Sequence, residues 1–110
     1  MLTKKIGKIL SVRFGMGGYQ DAQFGISFTL GGDHWSVSDF VGVWAGELPN
    51  NAHWTEKERM RTLGAMCLNI ANQLLVCKKM DVYELINTPV EVTFDSNERL
   101  FKWRILKEAL

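Results

Sequence analysis

The stretch TEKERMRTLGAMCLNIANQLLVCKKM, residues 55–80, carries the strongest local pattern in the chain. Thr55 followed by Glu58 is a capping box, in which the hydroxyl accepts a bond from a helix amide and the glutamate reaches back. Apolar residues then recur at intervals of three and four and form a wide stripe: Met60, Leu63, Cys67, Leu68, Ile70, Ala71, Leu74, Leu75 and Cys77. The pattern predicts one long helix that ends near Met80 and buries a broad apolar face.

Segments of alternating sequence flank this helix on both sides. Residues 24–30 alternate most cleanly, and the same period of two predicts strands over 4–14, 35–44, 90–94 and 100–106. The alternation shifts near Ser38 and Asp39, which predicts a bulge there. Two groups are expected to share one face of their strand: Ile6, Leu10, Val12 and Phe14 on the first, and Phe101, Trp103 and Ile105 on the last.

Asp81 and Glu84 repeat the capping pattern and predict a short second helix, which ends before Pro89. The predicted fold is therefore a single α+β domain over residues 1–110, in the order βββααββ. Its antiparallel sheet is expected to pack against one long and one short helix.

Composition narrows the classes of partner. The net charge of +1 argues against a nucleic-acid polymer, although a small anionic ligand needs only a few local cations. No apolar run approaches the ~20 residues of a membrane span, and the first ten residues lack the features of a signal peptide. Cys67 and Cys77, about 15 Å apart along one helix, are too distant for a disulfide, and two buried free thiols favour the cytoplasm.

The glycine-rich stretch GMGG, residues 15–18, follows the first predicted strand. It lacks the third glycine of a dinucleotide-binding loop, and a strand follows it where that motif needs a helix. Two interpretations stay open. The glycines form a bulged β–β connection, or their bare amides approach an anionic ligand, as a lid over a binding site would.

Local signatures of catalysis or metal binding are missing from the sequence. His34 and His53 fall in separate predicted loops, and neither has a cysteine at ligand spacing. No segment matches a known nucleophile motif. We expect a protein that is not an enzyme and that has no metal and no cofactor.

Aromatic and arginine residues gather around the start of the long helix. Trp44 and Trp54 flank the loop at 45–54, and Arg59 and Arg61 follow. Aromatic rings that stack on a base and arginines that bind phosphate are typical of a nucleotide site. The same residue types are equally typical of a protein interface. A third interpretation is that the rings only close the rim of the core. The predicted ligand-binding residues are Trp44, Trp54, Arg59, Arg61, Asn69, Gln73 and Arg104.

The segment GKILSVRFGMGGYQDAQFGISFTLGGDHWSVSDFVGVWA, the capped helix and the terminal VEVTFD and LFKWRIL together resemble a group of short phage and prophage proteins. The size and the βββααββ order are similar to those of the Thoeris anti-defence sponge family. That resemblance implies an oligomer that binds cyclic ADP-ribose-type signals or cyclic oligonucleotides without cleaving them.

Two functions follow as expectations. In the first, a homo-oligomer sequesters a small cyclic nucleotide immune signal in the cytoplasm of the infected bacterium. In the second, a small phage protein binds a host protein through an aromatic interface.

Overall fold

The computed structural model describes residues 1–48 and 54–110. Six main elements follow one another: β1 (Thr3–Gly17), β2 (Gln23–Gly32), β3 (Trp35–Trp44), α1 (Glu56–Cys77), β4 (Pro89–Phe94) and β5 (Leu100–Ile105). Short 3-10 turns occupy Tyr19–Asp21, Val82–Leu85 and Lys107–Ala109. Much of the predicted loop at 45–54, including His53, lies outside the described residues.

The strands form one antiparallel sheet in the order β3-β2-β1-β4-β5. β1 is the central and longest strand. Its residues 3–8 pair with β4, and its residues 8–17 pair with β2. The sheet, the α+β class and the antiparallel meander of the first three strands are confirmed. The predicted second helix is wrong, because Val82–Leu85 makes only a 3-10 turn, so the described chain has one α-helix.

The first strand does not keep one apolar face. A register shift between Ile9 and Ser11 inserts an extra residue, which moves the alternation to the other side of the strand. Ile9 and Val12 are therefore buried, whereas Ile6 is 61% exposed and Leu10 is exposed. The prediction that Ile6 and Leu10 share one face with Val12 was wrong for this reason.

The other two strand details also differ from expectation. β3 pairs with β2 without interruption, so the bulge predicted at Ser38 and Asp39 is absent from this ladder. The irregularity lies instead between Thr93 and Phe94, opposite the start of β5. It places Leu100 against the core and leaves Phe101 exposed.

Helix α1 begins as its capping sequence requires. The Thr55 hydroxyl accepts a 3.1 Å hydrogen bond from the backbone amide of Glu58, and Lys78 ends the helix in the left-handed conformation. The side that meets the core is narrower than predicted, and it carries Leu63, Met66, Ile70, Leu74 and Cys77. Five residues predicted to belong to the buried stripe are exposed: Met60, Cys67, Leu68, Ala71 and Leu75.

The core lies between the sheet, the helix and the 3-10 turn at Val82–Leu85. Ile9, Leu30, Leu85, Val90 and Val92 are fully buried in it. Among the helices of the described residues, none is both long and apolar enough to cross a bilayer.

Candidate functional site

A cleft of about 580 Å³ lies between α1 and the inward face of the sheet. That volume falls in the range of small-molecule sites. Sheet and helix both line it: Ile26, Phe28, Asp39, Val41, Lys102 and Trp103 from the strands, and Arg61, Thr62, Ala65, Met66, Asn69, Ile70 and Gln73 from α1.

The sheet side of the cleft is an aromatic and aliphatic surface. The rings of Phe28 and Trp103 lie 5.0 Å apart between centroids and are tilted by 58°. Ile26 and Val41 continue this surface from β2 and β3, where they are paired neighbours. A flat ring of a ligand has apolar surface to lie against here.

One carboxylate interrupts the apolar surface. Asp39 accepts a 2.7 Å hydrogen bond at Oδ2 from the indole Nε1 of Trp103, and this bond is partly buried. A single bond uses only part of the acceptor capacity of a carboxylate. Asp39 is therefore held in place by Trp103 and can still accept a bond from a ligand donor.

The helix side supplies cations and amides. Arg61, Thr62, Asn69 and Gln73 line the cleft along about three turns of α1, and Lys102 lines it from β5. The side-chain oxygen Oε1 of Gln73 is buried and has no hydrogen-bond partner within the described residues. A buried polar atom without a partner is unusual in a folded protein, and a bound ligand is one way to satisfy it.

Three of the predicted site residues therefore meet in one place, since Arg61, Asn69 and Gln73 all line this cleft. Trp54 borders a second hollow of about 210 Å³, which shares Arg61 and Thr62 with the cleft. The ring of Trp54 thus lies beside the cleft, at the helix start.

Arg59 and Trp44 lie outside the cleft lining and contact each other. Arg59 Nη1 donates a 3.0 Å hydrogen bond to the carbonyl of Trp44 and another to the carbonyl of Gly46. Its Nη2 contacts Glu56 Oε1 at 2.6 Å. These bonds connect the first turn of α1 to the end of β3, so Arg59 has a structural role.

Arg104 lies on β5 next to Trp103, and its side chain therefore points to the opposite face of the sheet. It contacts Glu91 at 3.2 Å and Glu108 at 3.0 Å. The hydrogen bonds that it donates to Glu108 lower the pKa of that carboxyl to about 2, and the bonds that it donates to Glu108 and Glu91 raise the pKa of Arg104 itself. The structure does not bring this arginine to the cleft.

The glycine-rich residues 15–18 also lie away from the cleft. Gly15 and Gly17 belong to β1, and Gly18, with φ of 68°, begins the 3-10 turn that leads to β2. With Arg13 and Phe40 they line a separate hollow of about 190 Å³. Phe40 alternates with the cleft residues Asp39 and Val41 on β3, so this hollow lies on the opposite face of the sheet.

Sequence reasoning missed several cleft residues, above all Asp39 and the pair of Phe28 and Trp103. For Asp39, the alternation of residues along β3 contained the necessary information. Val37, Asp39 and Val41 occupy successive positions on one face, so a carboxylate stands in an otherwise apolar inward row. Treating that position as a polar group in the site, instead of as a bulge, would have identified it.

The cysteines are both free. Cys67 is exposed, contrary to the prediction that both thiols are buried, and Cys77 is half-buried, which raises the pKa of its thiol. In the part of the chain that the structure describes, no group of three or more His, Cys, Asp or Glu side chains is placed to hold a metal ion.

Comparison with known proteins gives no relative from which the site could be assigned. No protein-family model, no curated protein and no solved structure matches this chain.

Proposed function

We propose that this protein binds and sequesters a small cyclic nucleotide signal in the cleft between α1 and the sheet, without cleaving it. The observation that carries the proposal is a cleft of ligand size lined by Gln73, whose side-chain Oε1 is buried and has no hydrogen-bond partner within the described residues. The unpaired atom costs the empty protein stability, and a ligand N–H or O–H group recovers that cost on binding.

The rest of the cleft suits the parts of a nucleotide. Trp103 and Val41 offer apolar surface to a base, and Asn69 and Asp39 offer hydrogen bonds to its edge or to a ribose. Arg61 and Lys102 supply positive charge for phosphate groups. The charge of Asp39 opposes a phosphate beside it, so we expect the phosphates to lie against Arg61 or Lys102 instead.

The setting follows from the resemblance to phage proteins. We place the activity in the cytoplasm of an infected bacterium, where capture of an immune signal would delay the host response. To capture the signal, the protein must be present at a concentration at least as high as that of the signal molecule. It need not catalyse any reaction.

A thermal-shift screen followed by calorimetry tests this proposal. The probes are cyclic ADP-ribose, cyclic di-AMP, cyclic di-GMP and cyclic AMP, with linear AMP as a control for phosphate and base alone. A ligand at a hundred times its dissociation constant should stabilise the fold by about 2.7 kcal/mol. Mass spectrometry of the released ligand should recover it intact.

Matched variants locate the binding. Gln73→Leu and Arg61→Ala should each weaken the affinity for the bound probe by tenfold or more. A tenfold loss corresponds to about 1.4 kcal/mol of binding free energy. Asn72→Ala, next to Gln73 but outside the cleft lining, and Arg104→Ala should leave it unchanged. If no probe binds, or if the two cleft variants bind as the parent does, the proposal fails; capture of a host protein would then be the better description.

A further inference from the structure

The side of α1 that faces away from the sheet is apolar along most of its length. Six residues at intervals of three, four and one form what we call the outer stripe: Met60, Gly64, Cys67, Leu68, Ala71 and Leu75. All six are exposed, and Met60, Leu68 and Leu75 have 67%, 70% and 77% of their surface in contact with solvent. No member of the outer stripe is charged.

Gly64 at this position is not explained by the fold of one chain. A Cβ atom added to Gly64 would meet no other atom within 4 Å, so nothing in the described structure requires the absence of a side chain. Glycine in the interior of a helix weakens that helix. A small residue on an apolar helix face does, however, allow a second helix backbone to approach closely.

The outer stripe has the same pattern in both directions. Starting from either end, it has a large residue, a small residue, the central pair and then a small and a large residue again. A two-fold axis between Cys67 and Leu68 would place Met60 against Leu75 of a second copy and Gly64 against its Ala71. Each of these pairs joins a residue from one edge of the stripe to a residue from the other edge, which is the arrangement of two antiparallel helices.

We propose that two copies of this chain associate by antiparallel packing of their α1 helices along the outer stripe. The symmetry of the stripe selects the partner, because an isologous interface must be complementary to itself, whereas the surface for a foreign helix need not be. This inference is independent of the proposed ligand site, which faces the opposite side of α1.

The area available limits how stable this association can be. A stable interface takes roughly a tenth of a small protein's surface from each partner, or ~800 Å². The total surface of 7675 Å² makes this a demanding share for one helix face. We therefore expect a dimer that forms at micromolar concentrations.

Sedimentation equilibrium on the full chain and two variants tests the interface. Leu68→Glu should raise the dimer dissociation constant by about a hundredfold, because it buries a carboxylate without a partner at the centre of the interface. Phe101→Glu changes an exposed ring on β5 and should leave the constant unchanged. Circular dichroism confirms that each variant is folded, and Leu75→Glu replaces Leu68→Glu if the latter unfolds.

Each possible result of these measurements either supports or overturns the proposed interface. A parent chain that stays monomeric at hundreds of micromolar overturns the proposal, and so does a Leu68→Glu or Leu75→Glu variant that dimerises as the parent does. Loss of the dimer in Phe101→Glu would place the interface elsewhere and would also overturn it.

Oxidative cross-linking tests the antiparallel orientation separately. In a Cys77→Ala background, Cys67 should cross-link two copies, because it lies next to the two-fold axis. When Cys67 is replaced by Ala and Met60 by Cys, the two new thiols should stand about 22 Å apart in an antiparallel pair and should not cross-link. Efficient cross-linking through position 60 would show a parallel arrangement and refute the proposal.

Discussion

The indole Nε1 of Trp103, on β5, donates a 2.7 Å hydrogen bond to Oδ2 of Asp39, on β3. These strands are the two edges of the five-stranded sheet. In a flat sheet four strand spacings would separate them by about 19 Å. The sheet is therefore curled enough for side chains of its two edge strands to touch across the inward face, and strand twist and the irregularity between Ile9 and Ser11 supply the curvature.

This bond should contribute measurably to stability. Asp39→Ala leaves the partly buried indole N–H without its charged acceptor, so we expect the free energy of unfolding to fall by about 1.5–3 kcal/mol. Asp39→Asn keeps an acceptor oxygen and should cost less. Urea unfolding followed by circular dichroism measures both. Asp33→Ala, on the exposed turn between β2 and β3, is the control; a loss no larger than that of the control would show that the edge-to-edge bond is not needed.

The sequence was sufficient for the five strands and the long helix, but the short helix expected after it is only a 3-10 turn at Val82–Leu85. Every strand and the long helix could be predicted because each has its own local period, and the Thr55 cap begins α1 where expected. The irregularities were not predictable in the same way. A bulge changes which residues face inward without changing composition, so Ile6 and Leu10 were predicted to share a face with Val12, although Ile9 is the residue that occupies the core beside it.

Only part of the cleft could be predicted from the sequence. Arg61, Asn69 and Gln73 recur on one helix face, and helical spacing groups such residues directly. Asp39 and Trp103 are 64 residues apart in the chain, and only the curvature of the sheet brings them together. Curvature depends on bulges and on packing against α1, neither of which has a local pattern.

The second prediction concerns stability in the absence of ligand. Gln73→Leu replaces an amide with a buried, unpartnered oxygen by an apolar side chain of similar size, and so removes an unmet hydrogen-bonding need. We expect the empty protein to become more stable by about 1 kcal/mol, which corresponds to a rise in Tm of roughly 4–8 °C. Differential scanning calorimetry measures this. A variant with a lower Tm would indicate that Gln73 is satisfied in the empty protein.

The third prediction concerns the ion pair on the opposite face of the sheet. Arg104→Ala should raise the pKa of Glu108 from about 2 towards its ordinary value of 4.5, because the lowering comes first from the hydrogen bonds that Arg104 donates. A depressed pKa contributes stability above the unfolded value, so this contribution is present above about pH 4.5 and is lost as the pH falls towards 2. Its size should be small, since both groups are exposed.

Carboxyl NMR titration of Glu108 measures that change. Lys4→Ala is the matched control, because Lys4 contacts Glu91 at 3.9 Å and shares the neighbouring carboxylate without touching Glu108. The control should leave the pKa of Glu108 near 2. An Arg104→Ala variant with an unchanged Glu108 titration would mean that the bond between them is not formed in solution.

The last prediction compares two glycines with opposite surroundings. Gly64 has open space where a Cβ would be, whereas a Cβ on Gly25 would collide with the backbone carbonyl of Val41 on the adjacent strand. In a Leu68→Glu background, which should be monomeric, Gly64→Ala should raise the free energy of unfolding by up to about 1 kcal/mol through helix propensity. Gly25→Ala in the same background should lower it, because β2 and β3 must separate to admit the methyl group.

The parent chain should respond differently to the first of these changes. There the added methyl of Gly64→Ala lies where we expect the backbone of a second copy, so the dimer dissociation constant should rise although the single chain is more stable. Chemical unfolding of the monomeric variants and sedimentation of the parent with and without Gly64→Ala measure the two effects. If the substitution stabilises the chain and leaves association unchanged, no helix approaches closely at Gly64, and the glycine has no role in dimerisation.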